Sequence, residues 1–296
     1  MDSEKKDKRE GLITIIPSGS LGKRIRVIAS MIQVALRYHR PLEIIWFTSN
    51  SIPCASDRLF TLVPQLSQEG ISIRQGTWKD YILNMPPSRD NLFVSLPFVL
   101  SRYDRIIGIK KFHSMLEGQQ AELKDLLNRD RERILIRTSE RINSYPNMYI
   151  SLEATVEVNN VRRSRMSGWG QNVVGIHINR KDSGASFHES PTELFIKRMQ
   201  KMIEEDDSVQ FFIATTSKDE KERLSTIFRS RIFVPYSTTD IYSVKGAIQN
   251  MGELLALSYT RLILTTPGSS FSEVAAEIRQ IPLETLSIFA NTKVQK

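Results

Sequence analysis

The sequence predicts an α/β fold in two doubly wound domains that face a cleft, and three observations carry that prediction. Short apolar runs of strand character alternate with longer segments of helical period from Gly11 onward. The alternation occurs twice, on either side of a polar stretch that has no period. The chain also has 296 residues, enough for about two domains at roughly 150 residues each.

The first unit is the clearest. Leu12-Ile13-Thr14-Ile15-Ile16 is a buried-strand run, Pro17-Ser18-Gly19-Ser20 a turn, and Ile25, Ile28, Ala29, Ile32 and Leu36 then recur at helical spacing. Pro41 to Phe47 follows as a second strand. A strand-helix-strand unit of this length calls for parallel pairing. Further strands are expected at Ile71–Arg74, Leu92–Val94 and Ile134–Ile136, with one helix over 114–128. Residues 1–10 read as a charged, disordered tail, and 11–150 as the N-terminal domain.

Residues 151–172 are polar, carry Arg162, Arg163 and Arg165, and read as a linker. A second series then fills 173–296: strands at 173–178, 209–214, 231–234 and 261–265, and helices at 191–205, 218–228, 246–257 and 270–279. Their apolar residues fall at the period that each element needs.

Composition excludes several classes. With 40% hydrophobic and 25% charged residues the chain is globular rather than disordered. A single cysteine, Cys54, rules out an intrachain disulfide and any multi-cysteine zinc site. The start has no apolar signal region and no run reaches the roughly 18 apolar residues of a spanning helix, so the expected location is cytoplasmic. His39, His113, His177 and His188 lack ligand spacing, so no metal is expected. The net charge of +8 suits an anionic partner and fits peripheral association with an anionic membrane face. Helix-turn-helix and base-stacking motifs are missing, so nucleic acid is not the expected partner.

Ligands of parallel sheets bind at the carboxyl ends of the strands, which directs attention to three turns. The first, Pro17 to Arg24, imitates two nucleotide motifs and satisfies neither, because Pro17 and Arg24 stand where glycine and a hydroxyl residue are required. It still offers Gly19 and Gly22 for close backbone approach, with Lys23, Arg24 and Arg26 as cations. The second is His177-Ile178-Asn179-Arg180-Lys181-Asp182, where alternation puts His177 and Asn179 on one face and Arg180 on the other. The third is Thr265 to Glu273, where Ser270 and Glu273 read as a capping box opening a helix just after Gly268 and Ser269. Such a helix start is the ordinary construction of a phosphate site.

Together the three turns resemble the GDP-fucose fucosyltransferase superfamily, in particular its bacterial α-1,6 members. The amino-terminal pattern of that family is similar to Leu21-Gly22-Lys23-Arg24-Ile25-Arg26 and then Arg40-Pro41-Leu42 through Trp46, with Lys23 in place of asparagine. Its histidine-hydrophobic-arginine-arginine-x-aspartate motif resembles His177 to Asp182, with Asn179 in place of the first arginine. A later segment resembles Glu253 to Ser258 followed by Gly268-Ser269-Ser270-Phe271, with Glu253 in place of aspartate.

The resemblance implies a GT-B-like architecture of two Rossmann-like domains. It also implies a glycosyltransferase that moves a sugar from a GDP-sugar, GDP-fucose foremost, to a hydroxyl of an oligosaccharide or lipid-linked glycan, without a metal or other cofactor. His177, Asn179, Asp182, Glu253, Gly268, Ser269, Ser270 and Phe271 would hold the donor, and Arg180 would serve catalysis. Gly19, Gly22, Lys23, Arg24 and Arg26 would lie on the acceptor side. A noncatalytic descendant that binds nucleotide or glycan is the alternative.

Overall fold

The structure, a computed structural model, describes residues 11–84, 102–180, 188–235, 240, 242–289 and 294–295. It divides into two units. The first takes the chain up to Gly19, Lys23–Thr48 and Thr61–Glu153, and the second takes Ser20–Gly22, Ser49–Phe60 and the chain from Ala154 onward.

In the first unit, β1 (Leu12–Pro17) leads into α1 (Leu21–Arg37) and β2 (Leu42–Trp46), as the apolar spacing predicts. The short β3 (Phe60–Leu62) is followed by β4 (Ile71–Gln75), β5 (Arg105–Ile107), α2 (Ile109–Glu117), α3 (Gln120–Leu127) and β6 (Arg133–Thr138). Five parallel strands align as β4-β2-β1-β6-β5. Ile13, Ile15 and Ile16 of β1 are buried, as are Ile25, Ile28 and Ile32 of α1. The single helix expected over 114–128 is two, because Gly118 leaves helical geometry at φ −144° and restarts the chain at Gln119. The strand expected at 92–94 and the tail at 1–10 lie outside the described residues.

In the second unit, β7 (Leu152–Ala154) is followed by α4 (Val156–Met166), β8 (Val173–His177), α5 (Thr192–Glu205), β9 (Gln210–Ala214), α6 (Lys218–Phe228) and β10 (Ile232–Phe233). The chain continues through α7 (Val244–Leu257), β11 (Ile263–Thr265), α8 (Ser270–Arg279), β12 (Leu283–Thr285) and β13 (Val294–Gln295). Its sheet runs β10-β9-β8-β11-β12-β13, parallel except for the β12–β13 pair. Val174, Ile176, Phe211 and Ile213 of the strands pack with Phe195, Met199 and Leu224 of the helices.

Residues 156–166 are helical where the sequence reads as an aperiodic linker. The Thr155 hydroxyl caps α4 by accepting from the Val158 amide at 3.3 Å. Only Val158 of this helix is fully buried, so its apolar signal is too narrow for period to reveal. Close approach to α7 holds it instead: a Cβ on Gly252 would lie 2.4 Å from Val161 Cγ1.

Both large sheets reverse direction beside their first strand. In the second unit β8, β9 and β10 step one way while β11 and β12 lie on the other side of β8, so the switch point falls between β8 and β11. In open α/β sheets, ligands bind at the carboxyl ends of the strands at such a point.

Candidate functional site

At that switch point β8 ends on His177 and β11 ends on Thr265, and the two are register partners. The His177 ring stacks on Phe271, with centroids 4.8 Å apart and planes 20° from parallel. His177 Nδ1 lies 2.7 Å from Ser272 Oγ and 3.0 Å from Ser269 Oγ. Ser272 Oγ is in turn 2.6 Å from Thr265 Oγ1. The structure thus gathers His177, Ser269 and Phe271 at one corner, together with two hydroxyls that the sequence reading passes over, Ser272 and Thr265.

The helix at this corner starts at Ser270, as expected, but its capping residue is one position earlier than expected. Ser269 rather than Ser270 is the cap, because its hydroxyl accepts from the Ser272 amide at 3.4 Å. Ser270 and Phe271 therefore occupy the first two helical positions, whose amides the helix itself does not consume. Gly268 precedes the cap at φ +68°, and a Cβ there would meet nothing within 4 Å. The left-handed conformation, not crowding, is what suits glycine at this position. Ser269 and Ser270 are themselves buried.

Two residues of the first turn join the same unit. Ser20 Oγ sits 3.2 Å from Ser270 Oγ, and a Cβ on Gly22 would lie 2.6 Å from the Ser270 carbonyl oxygen. Gly22 is thus a close-approach glycine whose neighbour is the start of α8.

Arg180 is engaged by Glu220, Ser190 and Thr192. Its Nε donates to Glu220 Oε1 at 2.8 Å, Nη1 to the Ser190 carbonyl at 2.8 Å and Nη2 to Thr192 Oγ1 at 3.0 Å. Thr192 also donates to Glu220, at 2.7 Å. The guanidinium ties the starts of α5 and α6 together. Arg180 lies three residues beyond the end of β8. The Asn179 amide donates to Thr266 Oγ1 at 3.3 Å. Asp182 lies outside the described residues.

Glu253 is also not brought to the corner by any contact among the described residues. It lies well along α7, and its carboxylate accepts from Arg165 Nε at 3.2 Å. Burial pushes its carboxyl above the usual range, against the downward pull of Arg165 and Lys221. Burial likewise lowers the Lys221 ammonium, which donates to the Pro235 carbonyl at 2.8 Å.

In the first unit, Gly19 holds φ +87° at the end of the β1 turn, and Arg24 Nε donates to its carbonyl at 3.1 Å. Arg24 turns inward. Its guanidinium lies 4.9 Å from the Trp46 ring centroid, donates to the Phe47 carbonyl and is pushed down to about 10 by burial. Lys23 and Arg26 are half-buried. Arg24 therefore braces the turn from below rather than adding a surface cation. Among the described residues no group of three or more histidine, cysteine, aspartate or glutamate side chains could hold a metal ion, and no helix is long and apolar enough to cross a membrane.

No protein-family model and no curated protein matches the sequence. Solved structures do match. The NodZ α-1,6-fucosyltransferase soaked with GDP-fucose is similar at TM-score 0.63 and 15% identity, over 97% of this chain and 99% of that one. Arabidopsis thaliana FUT1, as a variant in complex with GDP, matches at TM-score 0.61 and 13% identity, over 96% of this chain and 71% of that one. POFUT1 in complex with GDP-fucose matches at TM-score 0.53 and 10% identity, over 92% and 95% of the two chains. The fold of this chain is thus the GT-B-like α/β fold of the GDP-fucose fucosyltransferases.

Proposed function

We propose that this chain is a glycosyltransferase that binds a GDP-sugar, GDP-fucose as donor, and transfers the sugar to a glycan hydroxyl. One observation carries the reading most: His177, Gly268, Ser269 and the start of α8 converge at the switch point of a sheet whose fold is shared with enzymes solved with GDP or GDP-fucose. The acceptor, an oligosaccharide or lipid-linked glycan, belongs to the same proposal.

In this reaction an acceptor oxygen attacks the anomeric carbon while its bond to the diphosphate breaks, and negative charge grows on the departing phosphate. The amides of Ser270 and Phe271 and the positive end of the α8 dipole answer that charge without a metal. Asn179 follows His177 by two residues, just beyond the end of β8, where it can add a neutral donor. Arg180 acts through Glu220 and Thr192, tying the starts of α5 and α6 together rather than touching phosphate.

The alternative, a nucleotide- or glycan-binding descendant without turnover, is favoured by one specific pair of facts. Asn179 stands where the resembled motif has its first arginine, and the second arginine is engaged by Glu220. A melting assay of the full chain with GDP-, UDP- and dTDP-sugars, followed by product detection, separates the readings. Saturable stabilisation by GDP-fucose with sugar transfer supports the enzyme, and stabilisation without transfer or hydrolysis supports the descendant. No stabilisation by any nucleotide at millimolar concentration removes both.

A further inference from the structure

We infer that Ser272 is a positioning residue that fixes the proton of His177 on Nδ1 and so makes Nε2 a hydrogen-bond acceptor. Four hydroxyl and ring contacts around one buried point determine the direction of the chain. Thr265 Oγ1 donates to the Thr266 carbonyl at 3.2 Å. Its single proton being used there, its oxygen accepts at 2.6 Å from the Ser272 hydroxyl. Ser272 also has Ser269 Oγ within 3.1 Å as an acceptor. With either acceptor the Ser272 proton points away from the imidazole, and its oxygen is left to accept from Nδ1 at 2.7 Å.

Ser269 closes the argument. Its oxygen lies 3.0 Å from the same ring nitrogen. One N–H is readily shared by two acceptor oxygens, whereas one in-plane lone pair does not receive two hydroxyl protons. Two oxygens on one nitrogen therefore mark it as the donor. Ser272 is fully buried, and Ser269 and Thr265 nearly so, so water does not compete for these bonds. The stacked Phe271 ring holds the imidazole plane while the hydroxyls hold its tautomer.

The consequence for a ligand rests on the nucleotide-sugar reading. A group that meets Nε2 must be a donor, an amide N–H of a base or a hydroxyl of a ribose, rather than a phosphate oxygen. His177 then reads the nucleoside and leaves the phosphates to the start of α8.

The test is the 15N NMR spectrum of the His177 side chain in the full chain at about pH 8, where an ordinary imidazole is neutral. The wild type is expected to show a protonated Nδ1 and a bare Nε2, and the opposite pattern overturns the assignment. Ser272→Ala removes the main acceptor, and the double variant Thr265→Val/Ser269→Ala removes both acceptors of the Ser272 proton and leaves it free to turn toward Nδ1. Each is expected to shift the tautomer toward protonated Nε2 and to weaken GDP binding several-fold, with His177 itself untouched. Should Ser272→Ala fail to fold, the double variant decides alone. A variant that folds and keeps the wild-type tautomer overturns the role of Ser272. Correct tautomers without GDP binding contradict the nucleotide reading and leave the assignment standing.

Discussion

Arg180 and Glu220 form a nearly buried ion pair, Nε to Oε1 at 2.8 Å, in which Thr192 serves as the third member. Removing the arginine strands a buried carboxylate. Arg180→Ala should therefore cost about 3–5 kcal/mol of stability, the usual penalty for breaking such a pair from one side. Chemical denaturation of Arg180→Ala and of the Arg180→Ala/Glu220→Gln double variant checks this. The double variant should recover part of the loss, and a loss confined to GDP affinity would instead put Arg180 on the ligand.

Asn179 supplies the second prediction. Replacing it with arginine adds a cation two residues beyond His177, and a hydrogen bond from a charged group is worth about 1.5–3 kcal/mol. GDP affinity measured by calorimetry should rise by about tenfold or more in Asn179→Arg. An unchanged affinity would mean that this position does not meet the diphosphate.

Asp80 gives the molecule a pH dependence of definite sign. Its nearly buried carboxylate accepts from Arg74 at 2.7 and 2.9 Å and from the Thr77 amide at 2.9 Å. The Arg74 hydrogen bonds, helped by Thr77, hold its carboxyl well below the usual range. The folded value being depressed, the group stabilises fully above about pH 4 and loses that contribution as pH falls toward the folded value. Asp80→Asn should lower the urea midpoint at about pH 7 and narrow its difference from wild type at about pH 3. Equal differences at both pH values would contradict the assignment.

Helix α4 depends on a bare backbone opposite it. A Cβ on Gly252 would meet Val161 Cγ1 at 2.4 Å and Val161 Cβ at 2.6 Å. Gly252→Ala should cost about 1–3 kcal/mol, as overpacking does. Val161→Ala in the same chain should return part of that cost, a coupling that thermal unfolding of the four-member cycle reads directly.

Most of this architecture is legible in the sequence because the buried strands are nearly pure apolar runs. Val173 to Ile176 and Gln210 to Ala214 needed only their composition, and α5 only the spacing of Phe195, Met199 and Met202. Helix α4 was not legible, since it presents a single fully buried side chain and is held by a glycine 91 positions after Val161 in the chain. The site divides in the same way. His177, Gly268 and Ser269 announce themselves by standing at strand and helix ends. Ser272 does not, because a serine inside a helix carries no signal until β11 brings Thr265 beside it. The partnership of Arg180 with Glu220 spans 40 residues and no motif encodes it.

The central claim is that a nucleoside diphosphate docks on the start of α8 beside His177. Backbone amide NMR during a GDP titration of the full chain tests it most directly. Saturable shifts at Ser270 and Phe271, with His177 following the same curve, are the predicted result. Saturation that leaves these three residues unmoved, or no saturation at millimolar GDP, would contradict it.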